Sequence, residues 1–302
     1  MIRALFALLL GLSLIACAAP EVVEDPLANL EVPPGTDVTL QGVTVHYRDV
    51  GEGVPVVLLH GAALDSRMWI GQLSTLAKDH RVIAVDLPGF GKSPAPRGAY
   101  SHAVTLAYLL DHLKIPRAHF VGISEGAEDA LDFSYRFLDS AITLTLVSPR
   151  LGGQQWTPEA RASFENIMAA AARGDARVAA RRWLEHPLFA SAMKNPYVAK
   201  RVRKLHFDND KLWVRGTFPQ RSEPRAIDRL REVNMPVLAI VGDQDVESVY
   251  EIARKIDGEV FDSQLEVIPR AGHLVNMETP EVFNRALRAF LAEHPTRKSE
   301  DN

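Results

Sequence analysis

The stretch Val121-Gly122-Ile123-Ser124-Glu125-Gly126 decides the fold of this chain. The apolar residues 118–123 predict a strand, and the residues from about Ala127 onward predict a helix. A G-x-S-x-G pattern at such a junction is typical of a sharp turn that holds its serine in a strained backbone conformation. Glycine is needed on both sides because a side chain there would collide with crossing backbone. Ser124 would then project above the sheet beside helix N-terminal N–H groups, which favour negative charge.

Strand and helix patterns alternate on both sides of this turn. Apolar runs typical of buried strands occur at 54–59, 81–85, 142–147, 236–241 and 264–268. Helical patterns occur at 69–78, 103–113, 127–138 and 280–293. This alternation predicts an α/β fold with a mainly parallel sheet that is covered on both faces. Active sites of such sheets lie at the carboxyl ends of the strands, so the loops after the strands are the places to search.

The overall composition is that of an ordinary globular protein. The chain has 302 residues, of which 47% are hydrophobic and 24% are charged. This length allows one large domain with an insertion, or two smaller domains. The net charge of -4 gives no reason to expect nucleic-acid binding.

Residues 1–16 have the build of a secretory signal peptide. A basic start, Met1-Ile2-Arg3, precedes an apolar run of 12 residues at 4–15, which is too short to span a bilayer as a mature helix. The segment ends in Leu14-Ile15-Ala16-Cys17, which resembles the bacterial lipobox. That resemblance implies cleavage before Cys17 and attachment of diacylglycerol to its sulfur. The alternative is an ordinary signal peptide that is cut near Ala18-Ala19.

Cys17 is the only cysteine of the chain, so it cannot form an intramolecular disulfide, and lipidation would give it a purpose. Ala18 follows it in place of an aspartate, which by resemblance to Gram-negative sorting implies the outer membrane. We therefore expect a lipid-anchored protein of the bacterial cell envelope that faces the periplasm. Residues 17–37 are rich in proline and acidic side chains and read as an extended tether.

Several ordered motifs resemble the α/β-hydrolase superfamily, and most closely its cap-bearing esterase, lactonase and C–C hydrolase branch. The motifs are His60-Gly61-Ala62, Met68-Trp69, residues 86–93, the G-x-S-x-G turn at 122–126, residues 242–245 and Gly272-His273. The resemblance covers roughly residues 38–291. It implies an eight-stranded, mostly parallel sheet with helices on both faces, formed by a core of residues 38–150 and 232–295. It also implies a helical cap insertion, the cap segment, at residues 151–231.

The candidate catalytic residues are a nucleophile, a base and a carboxylate that orients the base. Ser124 is the candidate nucleophile. His273 is the candidate base because it follows the last predicted strand and precedes the last helix. Asp245 is the candidate carboxylate, since the family usually places its acid three residues after a glycine such as Gly242; Asp243 is the alternative. The order Ser, Asp, His along the chain is the order that this fold uses.

The oxyanion of an acyl-transfer reaction needs backbone N–H donors near the nucleophile. The N–H of Glu125, which follows Ser124, is one candidate donor. The other is the N–H of Ala62, or less favourably Ala63, in the loop after the strand at 54–59. His60 belongs to that same loop.

Two further patterns are left with alternatives. The remaining histidines in the first segment of the predicted hydrolase core, residues 38–150, are expected to lie in solvent at the surface: His46, His80, His102, His112 and His119. An acidic run follows the nucleophile: Glu125, Glu128, Asp129 and Asp132. This run departs from the family pattern and needs cationic partners or a polar pocket, and we favour structural pairing over substrate recognition.

The cap segment has a distinct composition. It contains three of the four tryptophans, Trp156, Trp183 and Trp213, and its 16 Lys/Arg against 8 Asp/Glu give a net charge of +8. Its aromatic side chains could line an apolar pocket or only pack the cap on the core. Its positive charge could face solvent, pair with the acidic run, attract anionic substrates or rest on anionic lipid.

These features predict a lipid-anchored serine hydrolase that cleaves an ester-like bond, a carboxylic ester or a lactone, through Ser124, His273 and Asp245. C–C bond hydrolysis and perhydrolase-type activity on the same residues remain alternatives. A further alternative is a non-catalytic ligand-binding or envelope-assembly module on the same fold. No metal or organic cofactor is implied, because no group of His, Cys and carboxylate residues has metal-ligand spacing. The expected partners are a small-molecule substrate and, through Cys17, a membrane.

Overall fold

A computed structural model of the protein describes residue 25 and residues 27–154, 156–214 and 218–295. The predicted signal peptide and Cys17 lie outside the described residues. The strands are β1 Thr36–Leu40, β2 Val43–Val50, β3 Val54–Leu59, β4 His80–Asp86, β5 Ala118–Ile123, β6 Ala141–Val147, β7 Val237–Gly242 and β8 Ser263–Ile268.

These strands form one eight-stranded sheet in the order β1-β2-β4-β3-β5-β6-β7-β8. β1 and β2 form an antiparallel hairpin, and β2 runs antiparallel to β4. Every other neighbouring pair, from β4-β3 through β7-β8, is parallel. The predicted eight-stranded, mostly parallel sheet is therefore confirmed, and β3, β5, β6 and β7 all end at the same edge.

Helices cover the sheet, and β5, β6 and β7 are buried along their whole length. The helices are α1 Ile70–Leu76, α2 His102–His112, α3 Glu125–Arg136, α4 Pro158–Ala172, α5 Ala176–Leu184, α6 Pro196–Asp208, α7 Glu247–Glu259, α8 Val275–Glu278 and α9 Pro280–Glu293. Short 3-10 helices occur at Ser66–Trp69, Pro187–Phe189, Ala192–Lys194, Asp210–Val214, Ala226–Asp228 and Leu230–Glu232. The chain between β6 and β7 is helical, and its described part contains no strand. In the part of the chain that the structure describes, no helix has the length and apolar character to cross a bilayer.

The N-terminal residues that precede β1 pack against the folded body. Leu27 is buried, and its side chain lies against Gly71. Both guanidinium Nη atoms of Arg201, on α6, donate to the Asp25 carboxylate at 2.8 Å. Within the stretch that we predicted as an extended tether, Asp25 and Leu27 are thus held against the folded domain.

Three of the histidines that we expected in solvent are instead buried: His46, His102 and His119. That expectation was wrong because each ring has a polar side-chain partner, which for His46 is the exposed Asp37. The ring of His102 lies 3.0 Å from the Asp129 carboxylate, and that of His119 lies 2.8 Å from the Thr143 hydroxyl. A hydrogen-bonded imidazole can be buried at little cost, so a polar residue type is a weak sign of exposure.

Candidate active site

Ser124 occupies the turn between β5 and α3 in a strained backbone conformation, with φ 54° and ψ -111°. Its N–H donates to the carbonyl of Val147 at 2.9 Å, which ties the turn to the end of β6. A Cβ added at Gly122 would lie 2.7 Å from the N of Ala127, and one at Gly126 would lie 2.6 Å from the carbonyl oxygen of His60. Both distances are far too short, so these two positions require glycine.

His273 lies in the loop after β8 and contacts Asp245, which lies in the loop after β7. The Nδ1 atom of His273 is 3.0 Å from Oδ2 and 3.2 Å from Oδ1 of Asp245. The Asp245 side chain is fully buried, and its Oδ1 also accepts the N–H of Val246 at 2.8 Å. Asp243, the alternative carboxylate, is exposed. Asp245 is therefore the carboxylate that the structure brings to His273.

Glu278, on α8, holds the loop that carries His273. Its carboxylate accepts the N–H of Gly272 and the N–H of Leu274, each at 3.0 Å. The two residues that flank His273 are thus fixed by one side chain. The sequence alone gives no sign of this role for Glu278, because a single glutamate five positions after the histidine forms no recognisable motif.

Ser124, His273 and Ala62 line one cavity of about 490 Å³. Among the hydrogen bonds of the described residues, none joins the Ser124 hydroxyl directly to the His273 ring. Catalytic hydrogen bonds are often long before substrate binds and shorten in the substrate complex. The cavity therefore provides a shared space in which a hydroxyl, an imidazole and a substrate could meet.

The candidate oxyanion donors lie beside Ser124. Ala62 lines the cavity, whereas Ala63 is completely buried. Among the described residues, neither the N–H of Ala62 nor that of Glu125 donates to a protein acceptor. The Ala62 loop is held by His60, whose Nε2 accepts the N–H of Leu87 at 3.0 Å. Its Nδ1 then carries the hydrogen and donates to the carbonyl of Gly61 at 2.9 Å.

The far wall of the cavity is aromatic and comes from the cap segment. Its aromatic side chains are Trp156, Phe164, Trp183, Trp213 and Phe218. The rings of Trp183 and Trp213 meet edge to face, with centroids 5.7 Å apart. All three tryptophans of the cap segment thus line the pocket, and two of them also pack on each other. Such a wall suits an apolar part of a substrate.

Three of the four acids in the run on α3 are paired with two arginines. Arg221, from the cap segment, forms short ion pairs with Glu125 and Asp129. Arg150, from the loop after β6, lies 2.5 Å from Glu128. Burial raises the pKa of Glu128. Burial would also raise the pKa of Asp129, but Arg221 and then His102 outweigh this effect and hold that pKa well below its usual value. The structure thus pairs three of these acids with arginines, whereas Asp132 accepts the N–H of Ser222 at 3.4 Å.

Within the described residues, no group of three or more His, Cys, Asp or Glu side chains is arranged to hold a metal ion. Among the polar groups that line the cavity are a hydroxyl and an imidazole, and a buried carboxylate lies behind the imidazole. These are the groups that catalysis by a nucleophilic hydroxyl uses.

Known proteins with hydrolytic activities resemble this chain over most of its length. A 2-hydroxy-6-oxononadienedioate/2-hydroxy-6-oxononatrienedioate hydrolase of Burkholderia vietnamiensis is 30% identical over 264 residues, which cover 82% of this chain and 90% of that protein. A 3-oxoadipate enol-lactonase of Acinetobacter baylyi is 28% identical and covers 84% of this chain and 95% of its own. The solved structure of a thermophilic esterase from Thermogutta terrifontis is 28% identical and superposes with a TM-score of 0.72 over 87% of this chain and 100% of that one. A family model described as the alpha/beta hydrolase fold matches residues 54–280, and the chain therefore belongs to the alpha/beta hydrolase family.

Proposed function

We propose that this protein is a serine hydrolase that cleaves an ester-like bond, a carboxylic ester or a lactone. The observation that carries the proposal is the convergence of three loops at one edge of the sheet. Ser124 sits in a strained turn that opens onto the cavity, and His273 lines the same cavity. The Nδ1 atom of His273 contacts the buried carboxylate of Asp245. This is the arrangement that nucleophilic catalysis by a hydroxyl requires.

The chemistry follows from the roles of these groups. Ser124 Oγ attacks the substrate carbonyl while His273 Nε2 takes its proton, and Asp245 holds the ring in the tautomer that leaves Nε2 free to accept. The N–H groups of Glu125 and Ala62 bind the negative oxygen of the tetrahedral intermediate. His273 returns the proton to the leaving alcohol, and water then cleaves the acyl-enzyme by the same steps. The aromatic wall of the cap segment holds the apolar part of the substrate.

Labelling with a fluorophosphonate, beside a panel of p-nitrophenyl esters and lactones, tests this proposal. We expect covalent modification of Ser124 and turnover of at least one ester or lactone, both lost in Ser124→Ala and His273→Ala. His112→Ala, which removes an exposed histidine, is the matched control and should behave as wild type. Absence of labelling in a folded wild-type protein would favour the non-catalytic binding module instead.

C–C bond hydrolysis is the second candidate, because the relative of Burkholderia vietnamiensis at 30% identity has a name that describes a hydrolase of dienoate substrates. The same serine and histidine would serve a carbonyl flanked by carbon on both sides. Turnover of a 2-hydroxy-6-oxo-dienoate at least as fast as that of the best ester or lactone would move the assignment to this reaction.

We further propose that Cys17 carries a lipid that anchors the protein to the outer membrane, facing the periplasm. The support is the lipobox-like stretch that ends at the only cysteine of the chain. In a Gram-negative host, Cys17→Ser should move the protein from the outer-membrane fraction to the soluble periplasm. Continued sedimentation of this variant with membranes would contradict the anchor.

A further inference from the structure

We propose that Arg221, supplied by the cap segment, is a positioning residue that keeps the nucleophile turn in its reactive geometry by holding Glu125. This inference rests on the serine hydrolase function proposed above. Glu125 directly follows Ser124, and its N–H is one of the two oxyanion donors in that proposal. A contact from the cap segment to this residue would make the assembly of the catalytic site depend on the seating of the cap.

Arg221 contacts three carboxylates of α3 at once. Its Nη2 donates to Oε1 of Glu125, and its Nη1 donates to Oδ1 of Asp129. Its Nε lies 3.8 Å from Oε2 of Glu128. Both ends of the planar guanidinium are therefore occupied, a geometry that a lysine cannot reproduce. One side chain of the cap segment thus clamps the first turn of the nucleophile helix.

Glu125 depends on Arg221 more than its neighbours do. Asp129 has a second partner in His102, whose Nδ1 lies 3.0 Å from it, and Glu128 has Arg150 at 2.5 Å. The Glu125 carboxylate, by contrast, is 3.9 Å from Arg150, so Arg221 is its close partner. Only 13% of the Glu125 side chain is exposed. Without Arg221, a mostly buried carboxylate would be left beside two other acids, and like charges would push it away.

A displaced Glu125 side chain would pull on the residue whose backbone faces the reaction. The Glu125 N–H must lie close to the developing oxyanion, and small errors in such positions are expensive for catalysis. Arg221 also lines the cavity, with a quarter of its side chain exposed. Its charge is balanced by α3, however, so its main effect should be on the chemical step and much less on substrate binding.

The test is a double-mutant cycle of Arg221→Gln and Glu125→Gln, measured with the best ester or lactone from the panel. We expect Arg221→Gln to lower kcat by about 10- to 100-fold, the cost of a misplaced catalytic group, with KM changed by less than about threefold. The rate of fluorophosphonate labelling should fall in parallel. Adding Glu125→Gln should restore most of the lost kcat, because Glu128 keeps its partner Arg150 and Asp129 keeps its partner His102.

Arg225→Gln is the matched control. Arg225 comes from the same segment and pairs with Asp228 on the exposed surface, where both side chains are about half exposed. Arg225 does not line the cavity, so the kcat and the labelling rate of the Arg225→Gln variant should match those of the wild-type protein. If Arg221→Gln keeps wild-type kcat, or if Glu125→Gln rescues nothing, the positioning role is wrong. A merely structural arginine would not be rescued by neutralising one particular acid.

Hydrogen exchange of α3 separates this inference from the function on which it rests. Arg221→Gln should speed exchange in the first turn of α3, and the double variant should reverse that change even if no ester is cleaved. If the wild-type protein is neither labelled nor active but the variants show this exchange pattern, the proposed hydrolase function is wrong. The contact of Arg221 with Glu125 would still hold the first turn of α3. If Arg221→Gln does not fold, the test becomes a comparison of kcat between Glu125→Gln and the double variant. A kcat more than about tenfold lower in the double variant would mean that Arg221 does not act through Glu125.

Discussion

The ring of His273 and the carboxylate of Asp245 form a buried pair, with Nδ1 3.0 Å from Oδ2. The Asp245 side chain has no exposed surface, and that of His273 has only 5%. Because an ionised carboxylate can only accept hydrogen bonds, the ring nitrogen that faces it must carry a hydrogen. The other ring nitrogen is then free to act as a base. The two loops after β7 and β8 therefore decide the tautomer of the His273 ring before any substrate arrives.

Asp245→Asn should lower kcat by about 10³- to 10⁴-fold with little change in KM, since an amide can hold the ring in the wrong tautomer. Steady-state kinetics on one ester would measure this effect. Asp243→Asn, two positions away and exposed, is the control and should retain activity. Equal losses in both variants would mean that the loop, and not the buried carboxylate, matters.

Gly126→Ala should destabilise the protein by about 3 kcal/mol or more, because the added methyl group would press on backbone that cannot move away. The new Cβ would lie 2.6 Å from the carbonyl oxygen of His60. Gly258, in α7, has no atom within 4 Å of the equivalent position. Gly258→Ala should therefore stabilise the protein by about 0.5–1 kcal/mol. Urea unfolding midpoints of the two variants would test both signs, and a tolerated Gly126→Ala would contradict the close packing described for this turn.

His206 should make stability fall as the pH falls from about 6.5 toward 4, because this buried histidine binds a proton much more readily after unfolding. Burial lowers the pKa of His206 to about 4. Its unfolded value is near 6.5, so the unfolded chain binds more protons in this interval and is favoured there. The contribution of this one residue should change by on the order of 2 kcal/mol between pH 7 and pH 5.

His206→Phe is the comparison that isolates this contribution. Unfolding free energies of both proteins at pH 7 and pH 5 should show a smaller drop in the variant. Burial raises the pKa of Glu128 and of Asp132, which act in the opposite sense, but they are present in both proteins. Identical drops in the two proteins would mean that His206 is not the titrating group.

Trp213→Ala should weaken the binding of long apolar acyl groups while sparing short ones. Trp213 lines the cavity and meets Trp183 edge to face. KM for a long-chain p-nitrophenyl ester should rise by about tenfold, whereas KM for the acetate should hardly change. Phe261→Ala, which removes a fully exposed aromatic side chain, serves as the control. Equal effects on both esters would show that Trp213 supports the fold and does not select the acyl chain.

The strand-to-helix turn and the candidate triad could be anticipated because each belongs to a local pattern. Ser124 lies in a six-residue stretch, and β5 runs over residues 118–123 as that stretch predicts. The choice of Asp245 over Asp243 was open in the sequence and is decided in the structure by a single contact with His273. What could be predicted was therefore the set of short motifs and the sheet that they imply.

The long-range partners could not be predicted. Arg221 is one of 16 basic residues in the cap segment, and nothing near it in the sequence marks its pairing with an acid 96 positions earlier. The burial of His102 could not be predicted from the sequence for the same reason, since its partner Asp129 lies on another helix. Such contacts depend on how the helices pack across the sheet, which local sequence patterns do not encode.

The contacts of Asp25 and Leu27 with the folded domain set a practical boundary for producing a shortened form of the protein. The Leu27 side chain packs beside Gly71, and both carboxylate oxygens of Asp25 accept hydrogen bonds from Arg201. A recombinant protein that starts at β1 would uncover the surface beside Gly71 and release α6 from its fastening. A soluble preparation that is meant to behave like the native protein should therefore begin upstream of Asp25.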